Sequence, residues 1–184
     1  MTHDDIEKSL DFSQRMPEER KNLALTRVIE DALILVQRQA EIENISFHKK
    51  YAEELPQVWG NSNSFQQVII NLVKNACDAM TEGGRITIST NILEADRKEP
   101  AIRISIEDTG PGIPHELLDR LFDPFFTTKA GGKGTGLGLA VSKRIVEEQG
   151  GRLICENSKE QSGAVFRILL PISKVHKPVN DHDA

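Results

Sequence analysis

The chain has 184 residues, 38% apolar and 28% charged, a balance that excludes disorder by composition and a membrane-embedded fold. With 28 acidic against 23 basic side chains the net charge is −5, which argues against a sequence-independent nucleic-acid binder, since that needs a basic field to displace counterions. No apolar run reaches the roughly 18–20 residues of a membrane span. The start MTHDDIEKSL lacks the basic and apolar regions of a signal peptide, and Cys77 and Cys155 have neither disulfide-framework nor zinc spacing. These features read as one cytoplasmic domain of ordinary size, with both thiols in its core.

Residues 1–16 carry Ile6 and Leu10 four apart and read as a short helical piece ending before Pro17. Residues 17–24 read as a polar linker, 25–172 as the folded domain and 173–184 as a polar tail. A helix is predicted from Thr26, with Ile29, Leu33, Val36 and Ala40 on one face. Ile45, Phe47 and Tyr51 share the parity of a strand-like run. Residues 86–92 and 102–106 alternate isoleucines with polar residues, as half-buried strands do. Leu139–Glu148 reads as a helix stopped by Gly150 and Gly151, and Arg152–Cys155 and Val165–Leu170 as the last two strands. The order of helices and strands predicts an α+β fold, a two-layer α/β sandwich with helices on a sheet, rather than the strict alternation of a doubly wound parallel fold.

The segment at 64–80 predicts a two-faced helix. Asn63 stands as its cap, with Gln66 in the capping-box position. Phe65, Val68, Ile69, Leu72, Val73, Ala76 and Met80 form an apolar stripe, while Asn71, Lys74, Asn75 and Asp78 share the opposite face. Asparagine competes for backbone hydrogen bonds and is a middling helix former, so two of them four apart are either a solvated face or a row of ligands for a cation or polar group.

A predicted strand then runs into Asp108-Thr-Gly110-Pro-Gly112-Ile113. Glycine permits close backbone approach or positive φ, and a carboxylate ending a buried strand can accept from an exocyclic amine such as that of adenine; an ordinary turn is the plainer alternative. Five of the thirteen glycines fall in Gly131–Gly138, directly before a helix. Amides at a helix N-terminus reached through glycine suit phosphate. The Walker pattern fails because Lys133 precedes Gly134, and the dinucleotide pattern fails at Leu139. A disordered linker is disfavoured by Phe122, Phe125 and Phe126 just upstream, and a mobile lid that docks its aromatics over a ligand accounts for both halves.

In this order and spacing, the segments resemble the ATP-binding catalytic domain of bacterial sensor histidine kinases, within the class that includes gyrase-type, Hsp90-type and MutL-type ATPases. Asn71-Leu-Val-Lys-Asn75-Ala is similar to the N box, Asp108-Thr-Gly110-Pro-Gly112 to the G1 box, Phe122-Asp-Pro-Phe125-Phe126 to the F box, and Gly132-Lys-Gly134-Thr-Gly136-Leu-Gly138 to the G2 box, across roughly residues 20–172. The resemblance implies a Bergerat-type ATP-binding fold, with a mixed sheet packed on helices under a mobile ATP lid. It implies Asn71, Lys74 and Asn75 as catalytic residues, Asn75 being the Mg²⁺ ligand and Lys74 a point charge near the phosphates. Asp108 would read the adenine amine, partly through water, beside Gly110, Gly112 and Ile113. The aromatics Phe122, Phe125 and Phe126 would anchor the lid; Thr127, Thr128, Lys129, Gly132, Lys133, Gly134, Thr135, Gly136, Leu137 and Gly138 would cover the phosphates, with Asp78 completing the nucleotide site.

Hydrolysing members of the class carry a glutamate where this chain has Asn71; an amide is no general base near neutral pH, so phosphoryl transfer is implied rather than efficient hydrolysis. None of the five histidines, His3, His48, His115, His176 and His182, stands in the H-E/D-x-x-x-P context of a phosphoacceptor. Residues 1–16 would then be the end of a dimerisation and phosphoacceptor helix, and the partners would be that domain and a response regulator, in a homodimeric parent around a monomeric catalytic domain. An anti-sigma-type serine kinase of the same fold and a non-catalytic nucleotide-sensing module are the alternatives.

Overall fold

A computed structural model describes residues 20–93, 100–128, 134–159 and 161–172. In chain order these form β1 (Lys21–Leu23), α1 (Leu25–Ile42), β2 (Ile45–Lys50), β3 (Val58–Gly60), α2 (Ser62–Ala79), β4 (Gly84–Leu93), β5 (Ala101–Asp108), a short α3 (His115–Leu118), α4 (Gly138–Glu148), β6 (Arg152–Asn157) and β7 (Ala164–Pro171). Five strands make one sheet in the order β2-β4-β5-β7-β6; β2 and β4 are parallel and the other pairs antiparallel. A sheet of mixed direction under a layer of helices is the α/β sandwich expected.

Register makes the core. Ile88 lies opposite Ile106, Ile106 opposite Phe166, Ile104 opposite Ile168, and Ile168 opposite Leu153. Side chains two apart share a face, so Ile86 and Ile88 of β4, Ile102, Ile104 and Ile106 of β5, and Phe166, Ile168 and Leu170 of β7 form one buried apolar floor. On it lie α1, α2 and α4. In α1 the positions at helical spacing, Val28, Ile29, Ala32, Leu33, Val36 and Ala40, are buried, and in α2 so are Phe65, Val68, Ile69, Leu72, Val73, Ala76 and Cys77. Helix α2 packs between α1 and α4, so its polar face can only look out at the end of the sheet.

Three expectations need correction. Residues assigned to a linker include β1, which pairs antiparallel with β3 and buries Leu23. The cap of α2 is Asn61 rather than Asn63: Asn61 has extended backbone and its Oδ1 accepts the Ser64 amide at 2.9 Å. Helix α2 starts as soon as β3 ends, two residues earlier than the capping-box reading required, so Asn63 lies inside its first turn. Met80 is buried as expected but caps the helix C-terminus rather than lying within it. Residues 1–16 and 173–184, read as a helical piece and a tail, lie outside the described residues, and no helix among the described ones is long and apolar enough to cross a membrane.

Candidate functional site

A cleft of about 450 Å³ opens where α2, the end of β5 and the start of α4 meet. Helical spacing carries Asn71, Lys74, Asn75 and Asp78 of α2 along one wall. Asn71 and Asn75 are half-buried, while Lys74 and Asp78 are exposed at the rim. The opposite wall is Asp108, Gly112 and Ile113, with Ala164 and Phe166 of β7 behind them. Thr127, Thr128, Gly134, Thr135, Gly136 and Gly138 close the third side.

Asp108 is 3% exposed. It takes the next even position after Ile102, Ile104 and Ile106, so the alternation that builds the core delivers a carboxylate to the end of the apolar floor. Its Oδ1 accepts the Gly110 amide at 2.9 Å and the Ala164 amide at 3.2 Å. Its Oδ2 accepts no hydrogen bond from the described residues and remains available to a ligand. Burial pushes the carboxyl above its usual range, and Glu107 adds to this; the Ala164 and Gly110 amides oppose it. Gly110 does not line the cleft: its amide holds Asp108 from behind. The same physics acts on the two thiols, Cys77 buried in the core and Cys155 half-buried against it. Burial pushes Cys77 up to about 11, with Glu43 and Asp78 adding to it, and Cys155 up to about 12, with Asp108 adding to it.

Asn71 is held from the side of α4. Its Nδ2 donates to Ser142 Oγ of α4 at 3.0 Å, and Ser142 is itself buried. A Cβ on Gly138 would lie 2.3 Å from Asn71 Oδ1, so only glycine lets the first turn of α4 sit against this amide. The fold thus joins the glycine-rich approach to α4 with the asparagine face of α2.

The aromatics divide their work. Phe122 packs against the core beneath the Lys143 ammonium, 5.4 Å from its ring centre, and so does not line the cleft. Phe126 does line it, with the Arg120 guanidinium 4.8 Å from its ring centre. Phe125, expected to anchor by its side chain, is 62% exposed. It anchors by its backbone, in the left-handed region at φ 68°, where its amide donates to the Gly136 carbonyl at 2.9 Å. Leu137 is the N-cap residue of α4 and is not part of the cleft lining. Lys129, Gly132 and Lys133 lie outside the described residues.

Ser142, Ala164 and Phe166 were not among the expected site residues. Ala164 and Phe166 lie more than fifty positions beyond Asp108 and reach it only by strand pairing. The buried Ser142 on an otherwise apolar side of α4 was the one legible signal.

Residues 60–174 match the family described as histidine kinase-, DNA gyrase B-, and HSP90-like ATPase. The chain is 37% identical over 148 residues to sporulation kinase E of Bacillus subtilis, covering 80% of this chain and 19% of that protein. It is 39% identical over 176 residues to sensor kinase CckA of Brucella abortus, covering 90% and 18%. Among solved structures, the catalytic domain of histidine kinase ThkA superimposes with a TM-score of 0.71 at 35% identity, covering 83% of this chain and 97% of that one. ThkA in complex with the response regulator protein TrrA matches with a TM-score of 0.72 at 31% identity, covering 91% and 46%. The chain belongs to this ATPase family, as a catalytic ATP-binding domain of the sensor histidine kinase type. It spans about a fifth of the length of these two curated relatives.

Proposed function

We propose that the cleft binds Mg·ATP and holds its γ-phosphoryl group for transfer to a histidine on a dimerisation domain of a longer, homodimeric, cytoplasmic-facing protein, as a step in two-component signalling. The observation that carries this reading is the convergence on one cleft of Asn71 and Asn75 from α2, Asp108 from β5 and Gly134–Gly138 at the start of α4. Adenine would lie against Asp108, whose Oδ2 accepts from the 6-amino group directly or through water; guanine carries a carbonyl at that position and cannot donate there. The phosphates would run toward the unsatisfied amides and positive dipole end of α4, with Lys74 as a point charge nearby.

The donor set fits magnesium. No group of three His, Cys, Asp or Glu side chains that could cage an ion is present among the described residues. Mg²⁺ characteristically takes one or two protein oxygens and completes its shell with phosphate and water, and the Asn75 carboxamide oxygen supplies such a ligand. Once bound, the ion neutralises phosphate charge. Asn71 orients rather than abstracts, because an amide is far too weakly basic near neutral pH to act as a general base, and this favours transfer over hydrolysis. The acceptor domain and a response regulator are the proposed partners, the latter by likeness to ThkA, which is solved with TrrA.

The test is calorimetric titration with ADP and GDP, each with and without Mg²⁺. ADP is expected to bind in preference to GDP. Asn75→Ala should abolish the Mg²⁺ dependence and Asp108→Ala the base preference. Binding indifferent to both substitutions would replace this reading with the non-catalytic interaction module.

A further inference from the structure

Beyond the four sequence boxes, one hairpin of the sheet reaches the base end of the cleft. The connection between β6 and β7 leans over the loop that follows Asp108 and is tied to it by side chains. Asn157, the last residue of β6, accepts the Ile113 amide on Oδ1 at 2.8 Å and donates from Nδ2 to the Ile113 carbonyl at 2.7 Å. One carboxamide thus satisfies both backbone polar groups of Ile113, as a neighbouring strand would. Ser162 Oγ donates to the Gly110 carbonyl at 2.7 Å, and the Ala164 amide reaches Asp108 itself.

The loop is shaped to receive Asn157. Gly112 adopts φ 80°, and a Cβ there would lie 2.9 Å from Asn157 Oδ1. Ile113, the residue held, lines the cleft beside Asp108. Asn157 is exposed and is absent from the core, so its two hydrogen bonds to Ile113 are its contribution on this side of the sheet.

We infer that Asn157 is a positioning residue for nucleotide-base recognition: by gripping the Ile113 peptide it sets the Gly110–Ile113 loop at the distance from Asp108 that admits adenine. The inference rests on the nucleotide reading of the cleft and extends it to the β6–β7 hairpin. Asn157 touches no ligand in this scheme; it acts through Ile113. Its effect should therefore fall on the base and leave the phosphate end untouched.

The experiment is titration calorimetry on the full 184-residue chain with ADP, GDP and inorganic tripolyphosphate, all with Mg²⁺, using Asn157→Ala, Asn157→Asp and Asp108→Ala. Asn157→Ala should weaken ADP about tenfold and shrink the ADP-over-GDP preference, because the released loop must then be ordered as the base binds. Tripolyphosphate binding should stay within about twofold, and the melting temperature should fall by only a few degrees, because two exposed hydrogen bonds but no core contact are removed. Asn157→Asp keeps the size and the acceptor but has no proton for the Ile113 carbonyl; at neutral pH it should behave like Asn157→Ala, whereas a space-filling role would leave it like the parent. Unchanged base preference in Asn157→Ala, with the preference lost in Asp108→Ala, would overturn this inference alone. Equal weakening of ADP and tripolyphosphate would overturn it too. A parent chain with no adenine preference would overturn the nucleotide reading and this inference with it.

Discussion

Asp108 stands where the strand pattern asks for a fourth isoleucine, and the cost of burying it has a sign that can be worked out. The folded carboxyl titrates above its ordinary value, chiefly because of burial. The folded chain therefore holds this proton more tightly than the unfolded one. The stability contributed is complete below about pH 3.9, the unfolded carboxyl value, and is lost as the pH rises through the folded value. Base recognition runs the other way, since accepting from an amine needs the ionised oxygen; affinity should fall on acidification through the folded value. Asp108→Asn keeps an oxygen for the Gly110 and Ala164 amides and removes the buried charge. It should melt at an equal or higher temperature than the parent at pH 7, with a flatter pH dependence, while binding ADP about 10–100-fold more weakly. Thermal melts between pH 4 and 8 with parallel titrations check this, and a lower melting temperature for Asp108→Asn would show that the charge is not the unfavourable element. Sequence marked this residue through its place before two glycines; the two amides that leave Oδ2 free were beyond it, because one belongs to a strand more than fifty residues away.

At the scale of elements, α2 and α4 form the working pair. The asparagine face of α2 was legible because helical spacing is a local property: residues four apart meet whatever the tertiary fold. Its partner was not. Asn71 is held by Ser142 Oγ and lies against Gly138, contacts that exist only because α4 packs beside α2. Two substitutions separate these contacts. Ser142→Ala leaves the half-buried Asn71 amide without this acceptor and should cost about 1 kcal/mol of stability. Gly138→Ala drives Asn71 from its place, because the new methyl would overlap its Oδ1, and should lower phosphoryl transfer to a supplied acceptor domain about tenfold or more. Chemical denaturation measures the first and single-turnover labelling the second. Full transfer by Gly138→Ala would mean that the orientation of Asn71 is immaterial. The cap of α2 carries a related lesson: a capping signature at Asn63 lost to Asn61, since where β3 ends decides where the helix begins.

For the whole molecule, the boundary at the N-terminal side is the sharpest test. The short β1–β3 ribbon lies outside the five-stranded sheet, yet it buries Leu23 and Val58. A chain starting at Arg20 should keep its melting temperature and its ADP affinity within about twofold. A chain starting at Leu25 loses both the ribbon and the Leu23 side chain, and should be less stable by about 2–3 kcal/mol, the worth of a buried leucine with its strand pairing. Differential scanning calorimetry on the two truncations distinguishes them. Equal stability would return residues 17–24 to the status of a linker; a large loss in the chain starting at Arg20 would place residues 1–19 within the folded unit. Since the chain spans only part of its curated relatives, about a fifth of sporulation kinase E and of CckA, transfer itself is to be read with an acceptor domain added.

By itself the sequence determined the apolar floor and stripes, the polar face of α2, the carboxylate before its glycines and the glycine-rich approach to α4. All of these are spacings within one short segment, where backbone geometry alone decides which side chains share a face. The tertiary structure decided what holds those segments against one another. Asn157 meets Ile113 across 44 residues, Ala164 meets Asp108 across 56, and Ser142 meets Asn71 across 71. Such contacts come from sheet register and helix packing, which follow from burying the whole core at once, and no local pattern encodes them.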